Sequence, residues 1–440
     1  MAAGPGGENS VLSVIWQAFS GNYDAKSVFT QRLRSITLRS MNRLGEVARL
    51  FTKLGFTAFG GPAAHLALME DETVRRRGWL DRQHFLDVVA AINFIPGPNS
   101  TQLAIHLGYL RAGFPGLVVA GLCFIVPAML IIFPLAWLYV TFGRTPQVRD
   151  ALIGINASVV AIVAAALWRF AKTGVKDWFS TGIVVVATSA LLLADPQIAA
   201  DLKVHRFGLA PLAKWMIPGK TDLIILGLAA MTGAVWYGRA KVLPSIPLLL
   251  LPCAAISTLS PFVQMTLLFL KVGATIFGSG YVLVSYLQSG IVDQHGWMTQ
   301  QQLLDAIAVG QVTPGPLLTT ATFIGYFLGH VRFGGGVGGG IAGGLLATTA
   351  IFLPSFLLIA FLGPLLPKIR SNRMARGALD GMNAAVVALI FVTTIRLAGG
   401  AIRDSATLVI AMASLIALLL WNVNATWLIL LSGLWGLVRI

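Results

Sequence analysis

Asn99, Ser100 and Thr101 follow directly on Pro96-Gly97-Pro98, inside an apolar run over residues 84–110. A proline lacks its N–H and crowds the preceding turn, so a helix entering this run must break there. The three polar residues then offer N-cap chemistry for a second helix. The first turn of such a helix presents free N–H groups and the positive end of a dipole, which together suit an anion. Asn99, Ser100 and Thr101 are therefore candidate ligands of a small anion; capping the helix is the plainer role open to them. The device returns as Thr313-Pro314-Gly315-Pro316, where Thr313, Thr319 and Thr320 supply hydroxyls and Leu317 and Leu318 replace Asn99 and Ser100. The expected site is asymmetric, with the first copy more polar.

Other residues could join this chemistry. Lys53 and Lys271 lie within apolar segments. A charge at membrane depth costs at least about 2.5–3.5 kcal/mol, so such lysines bind something, pair with something, or snorkel to the interface. His65 and His106 could couple transport to protons or simply hydrogen-bond between helices. Asp87 and Asp305 could carry protons, pair with the lysines or start helices. Asn156 and Asn383 suit interhelical hydrogen bonds. Arg75-Arg76-Arg77 reads as a topology determinant, or as an anion-gathering mouth. Gly278-Ser279-Gly280 lacks the Gly-x-Ser-x-Gly spacing of a hydrolase elbow, because Phe277 and Tyr281 stand where the outer glycines belong. Cys123 and Cys253 are isolated, so no disulfide framework or metal site is expected. No flavin or nicotinamide fingerprint is present, no cofactor is expected, and an intramembrane enzyme is the weaker class.

The elements that must position these residues are membrane helices. Of 440 residues, 56% are hydrophobic and 11% charged, against about 25% charged in soluble domains. The net charge of +15 would suggest nucleic acid in a soluble protein. Here the basic residues fall largely in short loops, the pattern of a positive-inside bias in a bilayer, with no nucleic-acid partner. Residues 1–28 read as a loose tail without a cleaved signal, and residues 29–47 as an amphipathic helix on the membrane surface. Gly60-Gly61-Pro62 interrupts a second apolar run, 51–69. Spans are expected over 114–142, 151–170, 179–194 and 223–237, and a short linking span over 246–260.

The pattern then restarts. Residues 51–98 overlay 269–316 at an offset of 218 without a gap, with 16 of 48 positions identical. Residues 149–160 overlay 376–387 at an offset of 227, with eight of 12 identical. The chain is an internal duplication. The loop before Trp79 is rich in arginine, whereas its counterpart over 289–302 has no Lys or Arg; equivalent loops of opposite bias lie on opposite sides of the membrane. The expected fold is all-α and polytopic, with two inverted-topology repeats carrying broken or re-entrant helices. Its parts are a tail and amphipathic helix (1–45), a first repeat (46–240), a linking span (241–262) and a second repeat (263–440). Broken helices meeting near the midplane are how many secondary transporters build a substrate site. The glycine run 334–344 reads as close packing or a hinge, since no Lys-Ser/Thr follows it.

The residues also resemble a known family, the chromate ion transporters in their long two-domain form. The likeness is carried by Phe59-Gly60-Gly61-Pro62, His65, Arg76, Trp79-Leu80-Asp81, residues 95–101, His106-Leu107-Gly108-Tyr109, Ala112-Gly113 and Pro127-Ala128. In the second half it is carried by residues 277–281, Trp297, residues 313–316 and Phe352-Leu353-Pro354-Ser355. The resemblance covers residues 46–438. It implies chromate export across the cytoplasmic membrane, chromate resistance, and sulfate as a competitor. Composition and spacing alone reach only an anion transporter of inverted-repeat design. They leave open the coupling ion, the cargo and the oligomeric state, a homodimer included.

Overall fold

The computed structural model describes residues 41–194, 221–238, 259–277, 280–363 and 372–438. The expected tail and most of the amphipathic helix, the polar stretch 195–220, the linking span up to residue 258, and Gly278-Ser279 lie outside the described residues.

The regular elements among the described residues are all helical. The first half runs α1 (41–57), α2 (Gly61–Glu70) continuing as a π turn (Asp71–Arg76), α3 (Arg82–Ile92), α4 (Asn99–Phe142), α5 (Pro146–Gly174), α6 (Trp178–Ala194) and α7 (Thr221–Trp236). The second half runs α8 (Pro261–Thr275), α9 (Val282–Leu287) with a π turn (Gln288–Gln294), α10 (Gln300–Val312) and a 3₁₀ turn (Leu317–Thr319). It continues with α11 (Thr320–Phe327), a π turn (Leu328–Arg332), α12 (Gly336–Leu362), α13 (Arg373–Ala401), α14 (Ser405–Leu420) and α15 (Ala425–Val438). The order recurs at the offsets read from the sequence. A shift of 218 carries α3 onto the start of α10 and matches the π turn after α2 to that after α9. A shift of 227 carries α5 onto α13 end to end, and the start of α6 onto that of α14.

Local chemistry explains the ends. Asp81 caps α3 by accepting from the His84 N–H at 2.8 Å. Thr299 and Gln302 form a capping box on α10, and Asp404 and Thr407 form another on α14. In the turn before α6, Asp177 accepts from the Ser180 N–H at 2.8 Å and from the Tyr237 hydroxyl at 2.6 Å. The Ser180 amide first, and then the tyrosine, hold the Asp177 carboxyl below its ordinary range. The α4 segment is two helices: at Ala112 and Gly113 the dihedrals leave the helical region, with Gly113 at φ +66°. The chain folds back there, so that Gly108 and Gly116 meet backbone to backbone. The glycine run does the same in the second half, where Gly325 meets Gly343 and Gly329 meets Gly339. That is the close packing expected of it.

Among the described residues, four helical segments are long and apolar enough to cross a bilayer: Asn99–Phe142, Pro146–Gly174, Gly336–Leu362 and Arg373–Ala401. At 1.5 Å per residue the 29 residues of α5 reach about 43 Å, beyond a hydrocarbon core of about 30 Å. The two halves exchange partners. Helix α5 packs against α13, α14 and α15, whereas α13 packs against α5, α6 and α7. The terminal helices of each half thus lie on the long helix of the other. Small residues let the backbones approach: Gly154 against Ser432, Gly436 against Asp150, Gly381 against Ala229 and Gly233 against Gly377. Large apolar side chains such as Trp427, Leu431, Leu434 and Val438 point outward, as a lipid-facing surface allows.

Candidate functional site

Each half breaks twice, and the breaks meet. Between α1 and α2, Gly60 and Gly61 take φ of +100° and +79°, and Pro62 fits the first turn of α2, where an N–H has no helical partner. Between α3 and α4, Gly97 takes φ of +136°; between α10 and the turn preceding α11, Gly315 takes +92°. The Gly97 N–H donates to the Ile276 carbonyl at 2.6 Å, and the Gly315 N–H donates to the Ala58 carbonyl at 2.9 Å. Both donors and both acceptors are 218 apart, so one contact is the other's counterpart. The Pro-Gly-Pro of each half therefore closes on the first break of the opposite half. Only glycine fits at these two points. A Cβ on Gly97 would overlap the Gln102 amide and lie 2.7 Å from Ser355 Oγ, and one on Gly315 would lie 2.8 Å from Ala128 Cβ.

The sequence-predicted ligands divide. Ser100, Thr101 and Gln102 are buried at the start of α4. Thr101 Oγ1 and Gln102 Oε1 lack a hydrogen-bond partner among the described residues, and Gln102 Nε2 donates to the Pro96 carbonyl at 2.6 Å. The expected N-cap role is corrected: the cap position is Pro98, with no side-chain cap bond. The physical reason is that Asn99 already lies within the helix, one residue too late to cap it, and its Nδ2 donates to Asn93 Oδ1 at 2.7 Å. In the second half the hydroxyls of Thr313, Thr319 and Thr320 donate to the carbonyls of Val309, Pro316 and Leu317 at 3.0, 2.7 and 2.8 Å. In this arrangement their protons go to backbone carbonyls.

Both lysines lie beside other titratable groups. Lys53 Nζ lies 2.7 Å from the buried Glu72 carboxylate, which also receives Arg77 at 3.3 Å. Lys271 acts electrostatically on Asp222 and His295. His65 Nε2 lies 3.1 Å from the Ala58 carbonyl, the acceptor used by Gly315, and its ring stands edge-on to Phe124. It therefore props one strut of the crossing. His106 is buried beside Tyr109. Asp87 is half-buried, with Gln83 Nε2 at 3.5 Å. Asp305 is buried and accepts from the Tyr139 hydroxyl and from Asn156 Nδ2, both at 2.7 Å. This joins α10 to α4 and α5 and gives Asn156 the interhelical bond expected of it.

A cavity of about 520 Å³ opens beside the first break, lined among others by Phe59, Gly60, Arg169, Tyr281, Asn422 and Asn424. Sequence reasoning missed Arg169. It closes an apolar run on α5 and recurs at the offset of 227 as Arg396, and that recurrence was the available signal. No metal-ligating cluster exists among the described residues.

Comparison with known proteins decides what this arrangement belongs to. The family described as "Chromate transporter" matches residues 45–258 and 263–437. The chain belongs to the chromate transporter family. A probable chromate transport protein of Synechococcus elongatus is 30% identical over 376 residues, covering 85% of this chain and 89% of that protein. The chromate transport protein of Cupriavidus metallidurans is 30% identical over 386 residues, covering 86% and 88%. That of Pseudomonas aeruginosa is 30% identical over 395 residues, covering 88% and 90%. No solved structure matches. The protein is thus a multi-pass transporter of the cytoplasmic membrane and not an enzyme. For a chromate transporter, broken backbone of this kind is tolerated at membrane depth where it is buried in protein or lines a wet cavity.

Proposed function

We propose that the protein exports chromate, a tetrahedral dianion, across the cytoplasmic membrane by alternating access between two inverted repeats, residues 46–240 and 263–440, joined by 241–262. The observation that carries this is the reciprocal pair of backbone bonds, Gly97 to Ile276 and Gly315 to Ala58. Contacts that exchange roles between two like units are the mark of a two-fold operator. The opposite charge bias of the equivalent loops, arginine-rich before Trp79 and free of Lys and Arg over 289–302, supports an axis in the membrane plane. One repeat rocking against the other would then expose the crossing to each side in turn.

A membrane potential, inside negative, is worth about 2.3 kcal/mol per charge per 100 mV, so an outgoing dianion gains about twice that. Export runs as potential-driven uniport or as ion exchange, and confers chromate resistance. Sulfate, of the same shape and charge, competes. The test is uptake of labelled chromate into everted membrane vesicles with an imposed inside-positive potential, with and without excess sulfate. Uptake that follows the potential, falls with sulfate and delivers unchanged chromate is the expected result. Uptake that needs ATP after the potential is collapsed overturns the scheme; uptake of sulfate without chromate makes another oxyanion the cargo.

A further inference from the structure

The cavity at the first break carries a finer assignment, which rests on the anion-transport reading. Arg169 Nη2 donates to the Leu418 carbonyl at 2.8 Å and to Asn422 Oδ1 at 3.0 Å. Both partners are neutral. A guanidinium has five N–H groups, and capping the end of α14 accounts for Nη2 alone. The Nε and Nη1 groups make no protein hydrogen bond among the described residues, and no carboxylate lines the cavity. Asn424 Oδ1 accepts from the Thr426 N–H at 3.0 Å at the start of α15. Its Nδ2 is left facing Gly60, 3.6 Å from where a Cβ there would stand. The first turns of α2 and α15, one from each half, border the same space through Gly60, Pro62, Asn424 and Ala425. Their positive ends add to the arginine.

The second half shows the contrast. Arg396, the counterpart of Arg169, is closed by Asp293, with Nη1 to Oδ2 at 2.6 Å, and its carbonyl is bonded by Gln300. One member of the pair is neutralised by a carboxylate, and the other faces a cavity with no carboxylate among its described lining residues.

We propose that Arg169 of the first repeat and Asn424 of the second form the tetrahedral-oxyanion site of this transporter, at the Arg169 position and not at its Arg396 counterpart, with Arg169 donating through Nε and Nη1 and Asn424 through Nδ2. The site is displaced from the Pro-Gly-Pro helix starts to the mouth of the cavity beside the Gly60 break. Asn422, the one non-glycine residue at positive φ (+50°) among the described residues, holds the arginine in place from the α14–α15 turn.

The experiment measures chromate uptake, and separately sulfate uptake, by the full chain in proteoliposomes under an imposed potential. The variants are Arg169→Gln, Asn424→Asp and the paired control Arg396→Gln/Asp293→Asn. Asn424→Asp keeps the cap oxygen of α15, so the fold survives, while a donor becomes a negative charge facing the anion. We expect Arg169→Gln to raise the half-saturating chromate concentration about tenfold, the equivalent of one charge-assisted hydrogen bond. We expect Asn424→Asp to abolish uptake, and the paired control to keep wild-type half-saturation. Both anions should respond alike. Wild-type half-saturation in a monodisperse Arg169→Gln protein overturns the assignment, as does normal uptake by Asn424→Asp. Absence of uptake by the wild type itself overturns the transport reading instead, so the two failures are told apart.

Discussion

Placing a methyl group on Gly97 should damage this protein more than the same change at any open glycine. Two costs combine. At φ +136° a residue with a Cβ is strained by about 1–3 kcal/mol. The methyl also overlaps the Gln102 amide, which is fully buried and donates to the Pro96 carbonyl. Displacing that amide leaves a buried donor unpaired, at a further cost of about 1–3 kcal/mol. Together these remove several kcal/mol from a protein whose total stability is of the order of 5–15 kcal/mol. They also shift the one N–H that ties the first Pro-Gly-Pro to Ile276. Two controls separate the terms. Gly113 has φ of +66° but nothing within 4 Å of a Cβ, so Gly113→Ala measures strain alone. Gly182 has open space and an ordinary φ, so Gly182→Ala should be neutral or slightly stabilising. The assay is the monodisperse fraction left after heating detergent-solubilised protein through a temperature series, together with uptake by the unheated protein. The expected order of survival is Gly182→Ala at or above wild type, then Gly113→Ala, then Gly97→Ala. Gly97→Ala surviving as well as Gly182→Ala and transporting normally would refute the crossing as described.

Asp305→Asn should destabilise the protein by about 1–3 kcal/mol, because Tyr139 and Asn156 donate to different oxygens of that carboxylate and an amide turns an NH₂ donor toward one of them. Adding Asn156→Asp restores an acceptor across the pair and should recover part of the loss; a thermal-stability double-mutant cycle with no coupling would show that Asp305 and Asn156 do not meet. The Asp177 carboxyl, in the turn before α6, is held below the ordinary aspartate value of 3.8 by the Ser180 amide and the Tyr237 hydroxyl. A depressed folded pKa gives stability that is present above the unfolded value and lost as pH falls through the folded one. Wild type should therefore exceed Asp177→Ala in thermal stability at pH 7, with the gap narrowing below pH 3.8; a gap that widens on acidification would reverse the sign.

What the residue order determined by itself was everything carried by local rules. Apolar run length set the helical spans, as at 114–142 and 151–170. Proline and glycine chemistry set the breaks at Gly60-Gly61-Pro62, 96–98 and 314–316. The offsets of 218 and 227 foretold which helices would correspond, down to the ends of α5 and α13. Three things needed the tertiary structure. The register of Pro98 against Asn99 decided that no side chain caps α4, because a cap depends on where the chain turns helical within one residue. The partners of Lys53 and of the threonines were decided by which acceptors came within about 3 Å, which spacing along the chain does not encode. The exchange of terminal helices between the halves, and with it the meeting of Arg169 on α5 with Asn422 and Asn424, joins residues some 250 positions apart. Periodicity reports which face of a helix is apolar; which neighbour covers that face is settled only when all the helices compete for it at once.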